Sequence, residues 1–318
     1  METFSAMFGI VLLFALLLIP GFILGKQRLI EKSAMVSFSN ILMYIAMPFL
    51  VVTKLLEIDV RTLNWSEVTI SIILPFVIEG LLLAICMICF SGADGRKKAL
   101  RFCSVFPNVG FLGIPLAAAM WPNNPEIVLF VSFYNLINTF TLLTFGVFVL
   151  SGDKKSINPI KCLLSPATFA IMLGFIGSYF KVADHFPTVL IYSTTLSNLT
   201  TPLAMITLGF ELSGLHLIRM WKSAGIYASA FIKLIVSPLL ALGILLILKY
   251  VLVIPISEFL INAMLVATAV STAASASAMS KKYDADAQYA ATLTLANTLL
   301  CMFTMPLMYT LFNLILIT

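Results

Sequence analysis

Residues 101–120 read RFCSVFPNVGFLGIPLAAAM, a stretch apolar enough to span a bilayer yet carrying Pro107, Asn108, Gly110, Gly113 and Pro115 near its middle. Proline removes a backbone donor and obstructs the preceding turn, so a helix written with these residues breaks at its centre. In hydrocarbon every unpaired N–H or C=O is costly, and such a break persists only where protein packs round it or where it lines a polar cavity. Discontinuous helices of this kind gather in secondary transporters, where they build ligand sites.

The remainder of the chain is equally apolar. Hydrophobic residues make up 61% and charged residues 10% of 318 positions, with a mean hydropathy of +1.07, whereas soluble domains carry roughly 25% charged residues. The sequence therefore reads as an all-α integral membrane protein. A span takes about 20 apolar residues, and punctuation by charge, Gly and Pro gives ten: 7–25, 34–56, 67–90, 99–120, 127–150, 166–183, 188–212, 223–250, 258–280 and 287–315. The first has no positive flank, Glu2 being its only early charge, so it is expected to be retained and not cleaved as a signal peptide.

The basic residues set an orientation. Loops after odd-numbered spans hold Lys26, Arg28 and Lys32; Arg96, Lys97, Lys98 and Arg101; Lys154, Lys155 and Lys161; Arg219 and Lys222; and Lys281 and Lys282. The other side has only Lys54, Arg61, Lys181 and Lys249. The positive-inside rule then predicts a multi-pass protein of the cell membrane with both termini extracytoplasmic. The net charge of +5 is a topology signal, and no soluble basic face is left to bind nucleic acid.

The chain also repeats itself. MPFLVVTKLLEIDV (47–60) lies over TPLAMITLGFELSG (201–214) with Pro48 on Pro202, and Asn138-Thr139 lies over Asn297-Thr298. Pro75 finds Pro238, and the three offsets of 154, 159 and 163 agree. Because each repeat has five spans, an odd number, the second enters the membrane inverted relative to the first. Adding about 164 to Pro107-Asn108 leads to Ser271-Thr272, in a ninth span crowded with Ala, Ser and Thr. At about 1.5 Å per residue both breaks fall near mid-depth. Their half-helix N-termini would offer N–H groups to an anion, and their carbonyl ends could hold cations.

FPNVGFLGIPL in the fourth span, FIKLIVSPLLAL in the eighth, TPLAMITLG in the seventh and AVSTAASASAMSKKYDADAQYAATLTLANTLLCMFTMPL in the ninth and tenth resemble the auxin efflux carrier family. The likeness covers essentially the whole chain. Prokaryotic members resemble malate- or malonate-type permeases, and the fold is similar to that of bile-acid symporters and sodium/proton antiporters. The resemblance implies scaffold helices one and two (1–64) and six and seven (153–218), with transport-domain helices three to five (65–152) and eight to ten (219–318). It implies crossed fourth and ninth helices with substrate at Pro107, Asn108, Val109 and Gly110, and at Ser271, Thr272 and Ala273. A homodimer through the scaffold is implied as well. One departure is that the family's ninth-helix break usually has proline, where this chain has Ser271-Thr272; hydroxyls bonding back to the preceding turn bend a helix more gently.

Glu79 and Lys233 lie deep in spans, where a lone charge costs at least ~2.5 kcal/mol. Either Lys233 offsets the carbonyl ends of the broken helices, as a bound cation would, or the two form a structural charge pair or are water-solvated side chains with no part in coupling. Asn138 and Asn297 either flank the break or act as interhelical glue. Asn40 and Thr201, the latter in a polar cluster over residues 193–201, would face the site from the scaffold. His185 and His216 read as solvated loop residues, and Cys86, Cys89, Cys103, Cys162 and Cys301 as packing residues. No H-E-x-x-H, Walker or G-x-S-x-G motif is present, which speaks against an enzyme, a metal or another cofactor. The expected function is transport of a small organic anion, a carboxylate, by movement of one domain against the other, with proton or sodium coupling open. A sodium-coupled bile-acid-like symporter and a membrane receptor that binds without transporting are the alternatives.

Overall fold

A computed structural model describes residues 2–157, 164–214 and 221–317; Lys161, Cys162, His216 and Arg219 lie outside them. Among the described residues the chain is all helical, without a strand. Its helices are α1 (Glu2–Lys26), α2 (Lys32–Ile41), α3 (Met47–Leu56), α4 (Trp65–Cys89), α5 (Gly95–Val105), α6 (Ile114–Met120), α7 (Pro125–Thr141) and α8 (Val147–Ser151). They continue as α9 (Pro166–Tyr179), α10 (Val182–His185), α11 (Pro187–Ser197), α12 (Thr200–Ser213), α13 (Ala224–Phe231), α14 (Ser237–Leu246), α15 (Glu258–Ala269), α16 (Ala276–Lys282) and α17 (Ala287–Phe312). Among the described residues six continuous helical runs are long and apolar enough to cross a membrane, and Val109–Met120, Pro166–Tyr179 and Glu258–Ala269 are shorter apolar helices.

Proline explains much of this subdivision. Widened turns occupy Leu42–Ala46, Val109–Gly113 and Ile232–Val236, and each ends two residues before a proline: Pro48, Pro115 and Pro238. The missing N–H and the ring's clash with the carbonyl four residues back are relieved by adding one residue to the turn. At Pro202 the same conflict has a different outcome. The predicted seventh span of 188–212 is divided at Asn198-Leu199, between α11 and α12, and Asn198 is the residue whose carbonyl Pro202 cannot serve.

Two sets of helices pack tightly within themselves. α1 runs along α12, and α9 and α11 pack on α3. The α1–α12 crossing is closed by small residues on both partners: a Cβ on Gly21 would collide with the Ile206 backbone, and one on Gly209 with the Leu18 backbone. Small-residue contacts of this type let apolar helices gain dispersion energy in lipid, where the hydrophobic effect does not drive them together. Gly21→Leu is expected to lower stability by about 1–3 kcal/mol through overpacking, read as a reduced Tm of the purified protein. At one end, Ser178 donates to the Ile58 carbonyl and Arg61 to that of Tyr179, tying α9 to the loop after α3. Asp59 accepts from the Arg61 backbone N–H and faces Lys181, which together hold its carboxyl below the usual range.

The second set surrounds α7 and α15. Every residue of α15 from Leu260 to Ala269 is buried, and α7 is packed against α4, α15 and α3. A helix apolar all round belongs in an interior. Many large side chains on the outer helices are exposed instead, including Leu12, Leu16, Met172, Ile176 and Phe303, as suits surfaces that meet lipid.

Candidate functional site

Phe106 precedes a proline, which steers it out of helical geometry, and it is extended at φ −82°, ψ 117°. α5 therefore stops at Val105, and a widened turn begins at Val109. α15 stops at Ala269, with Val270 extended at φ −71°, ψ 161°, and helix resumes at Ala276. The two interruptions meet as an antiparallel bridge between Pro107 and Thr272. Asn108 donates its N–H to the Ser271 carbonyl at 2.7 Å, and Ala273 donates to the Phe106 carbonyl at 2.9 Å. Each break thus satisfies part of the other's freed backbone, as the interior of a membrane protein requires.

Side chains complete the junction. Asn138 of α7 donates to the Pro107 carbonyl at 3.2 Å. Asn297 of α17 donates to Thr272 Oγ1 at 2.8 Å and to Ser229 at 3.1 Å. The two asparagines paired by the internal repeat therefore grip opposite sides of one bridge. Without a proline of its own, the Ser271-Thr272 break is held by its neighbours: Thr272 Oγ1 donates to the Cys103 carbonyl at 2.6 Å, and Thr298 donates to Ser271 Oγ at 3.1 Å.

Asn108 is buried, at 3% exposure. Its Oδ1 accepts the Phe111 N–H at 3.3 Å, and its carbonyl receives Leu112 and Gly113. Among the described residues its Nδ2 has no hydrogen-bond partner, nor do Oδ1 of Asn138 and of Asn297. The N–H groups of Val109 and Gly110 lead the turn, where no helical carbonyl precedes them. Val109 is fully buried, while Gly110 is half-buried and lies against Met47 and Asn135. The junction combines an unpaired amide donor with the electropositive start of a helix, a combination suited to an anionic oxygen.

Behind the bridge lie the two deep charges. Lys233 is fully buried and its Nζ donates to the Thr268 carbonyl at 3.4 Å; Cys301 Sγ donates to the Ala269 carbonyl at 3.4 Å. Both carbonyls belong to the last turn of α15, the electronegative end of that half-helix. Glu79, also buried, accepts from Thr141 through Oε2. It interacts electrostatically with Lys233, although no direct ion pair joins them among the described residues.

Asn40 and Thr201 stay apart from this cluster. Asn40 is exposed on α2 and Thr201 is half-buried at the start of α12, and neither bonds to the bridge. Two polar contributors escape a reading of the sequence. Tyr134 is fully buried with an unpartnered hydroxyl and interacts with Glu79; the spacing of Tyr134, Asn138 and Thr141, at i, i+4 and i+7, could have placed it on the same helix face. Glu67 is the other. It is buried and accepts from the Ser257 N–H at 2.6 Å and its hydroxyl at 2.7 Å, securing the start of α15. Glu67→Ala leaves that N–H without its charged acceptor, and a loss of about 1.5–3 kcal/mol is expected, measured by thermal denaturation.

A cavity of about 1,090 Å³ approaches the bridge from the end that carries the basic loops. One wall is formed by the end of α1, α2 and α12, and the other by Ala274, Ser277 and the α17 residues Ala291, Thr294 and Leu295. Elsewhere the same two sets of helices meet along an apolar seam of Phe14, Leu18, Leu112, Met205 and Met302.

The sequence model of a family described as membrane transport protein matches the chain twice, over residues 5–161 and 154–309. These segments correspond to the two halves of the internal repeat. No curated protein matches the chain.

Proposed function

Because the chain belongs to the membrane transport protein family, we propose that it is a secondary transporter of a small organic anion whose carboxylate is held where the two interruptions meet. The observation that carries this reading is the bridge between Pro107 and Thr272, with the unpaired Asn108 amide buried beside it. Asn108 Nδ2 and the N–H groups of Val109 and Gly110 would hold the carboxylate, with the Ser271 hydroxyl donating from the opposite side and Thr272, whose proton goes to the Cys103 carbonyl, lining the site beside it. No catalytic step, metal or cofactor is required.

The chain would cross the cell membrane ten times as two inverted five-helix repeats, with both termini outside. α1, α2, α3, α9, α10, α11 and α12 would form a scaffold through which a second copy would join as a homodimer, and the remaining helices a transport domain. The apolar seam between these sets suits sliding, since it holds few directional bonds to break. Lys233 would neutralise the carbonyl end of α15, doing with a side chain what a bound cation does elsewhere, and Glu79 would balance it.

A thermal-shift screen of mono- and dicarboxylates against purified protein tests binding, because a ligand selective for the native state raises Tm with its concentration. Counterflow in proteoliposomes then separates transport from reception. A receptor would bind the anion and give no counterflow. Sodium-coupled symport would appear as uptake that requires a sodium gradient.

A further inference from the structure

The cavity below the bridge is bordered by four charged side chains, Lys26, Arg28, Glu31 and Glu211. All four are exposed, and among the described residues none is in an ion pair. Arg28 stands out by its backbone. Its φ is 55°, and its N–H bonds the Gly25 carbonyl at 3.2 Å while Leu29 bonds Leu24 at 3.0 Å. These two bonds close α1 with a left-handed residue at the position glycine ordinarily takes. An arginine there bears the steric conflict of its Cβ with the backbone, and strained residues of this kind gather where a side chain is needed for function. Here the strained residue puts the planar, carboxylate-matching guanidinium group on the border of the cavity that leads to Ala274 and the second interruption.

We propose that Arg28 is the entrance contact for the transported anion, receiving its carboxylate before it moves inward to the bridge. This assignment rests on the transporter reading above. Lys26 adds a second positive charge, whereas Glu31 and Glu211 oppose both. Bordered by two cations and two carboxyl groups, the entrance carries at most one net positive charge, so it orients an arriving anion without trapping it, as a path must if cargo is to leave the first contact again. The four charges make a prediction in two directions: removing the arginine weakens capture, and removing a carboxylate strengthens it.

The test measures malate uptake into proteoliposomes at low and high salt, with Tm measured in parallel. Arg28→Gly is expected to raise KM about five- to tenfold at low salt, with a smaller effect at high salt where exposed charges are screened. The same variant is expected to raise Tm by about 1–2 °C, because glycine accepts the left-handed backbone. Gain of stability with loss of affinity is a combination that a merely structural arginine would not produce. Arg28→Lys, which keeps the charge and loses the planar fork, should raise KM by less than Arg28→Gly does, and Glu31→Gln should lower KM. A native KM in Arg28→Gly, or shifts of the same sign in Arg28→Gly and Glu31→Gln, would overturn the entrance assignment while leaving transport intact. If the native protein neither binds nor moves malate, the carboxylate reading itself fails for this substrate, and the entrance assignment fails with it.

Discussion

Asn108→Ala is expected to remove most of the stabilisation that a carboxylate ligand gives the native protein. Its Nδ2 is a buried donor without a partner beside the junction of the two interruptions. A hydrogen bond to a charged group contributes about 1.5–3 kcal/mol, so its loss weakens binding by about 10- to 150-fold. At a ligand concentration of about 100 Kd the native protein gains about 2.7 kcal/mol, and the variant would gain about 0.3–1.4 kcal/mol at the same concentration. The substitution also removes the cap on Phe111, worth about 0.5–2 kcal/mol, so each protein is compared with its own unliganded Tm. Asn108→Asp separates the two roles. It keeps the capping oxygen but presents negative charge to the ligand, and it should fold and fail to bind. Full ligand stabilisation of Asn108→Ala would place the site elsewhere.

Lys233→Gln carries the second large effect. It leaves Glu79 buried without the opposite charge it interacts with, and because the two are not in direct contact the expected cost lies below that of breaking a buried contact pair, about 3–5 kcal/mol. Transport should be lost as well, since the carbonyl end of α15 would be uncompensated next to an arriving anion. The double variant Glu79→Gln/Lys233→Gln removes both charges and should recover most of the stability, because replacing a buried pair together is far less costly than breaking it. It should still fail in proteoliposome uptake. Native uptake by the double variant would reduce the two charges to a structural pair.

The sequence made the first interruption legible because its cause is covalent: Pro107 has no N–H and pushes Phe106 out of helical geometry. The second has no such marker. Ser271-Thr272 could be located only through the repeat, since what bends the chain there is the bond it gives to the Cys103 carbonyl and those it receives from Asn297 and Thr298, and these partners are brought near by tertiary packing alone. Asn138 and Asn297 were legible as a pair, but their repeat relation left open whether they flank the break or merely join helices. The bonds to Pro107 and Thr272 put them on the junction. Pro202 was visible, yet its division of the seventh span was not, because Pro48 at the equivalent place produces only a widened turn. Glu67 reads as the charged end of a span, and nothing near it in sequence reveals a partner 190 residues away.

The most direct test of the account is a structure of the purified protein with a bromine-labelled carboxylate chosen from the thermal-shift screen, in which anomalous scattering locates the ligand. The account predicts bromine density beside the Asn108 side-chain amide, with the carboxylate on the N–H groups of Val109 and Gly110. Density confined to another part of the molecule, with the junction closed to the ligand, would contradict it.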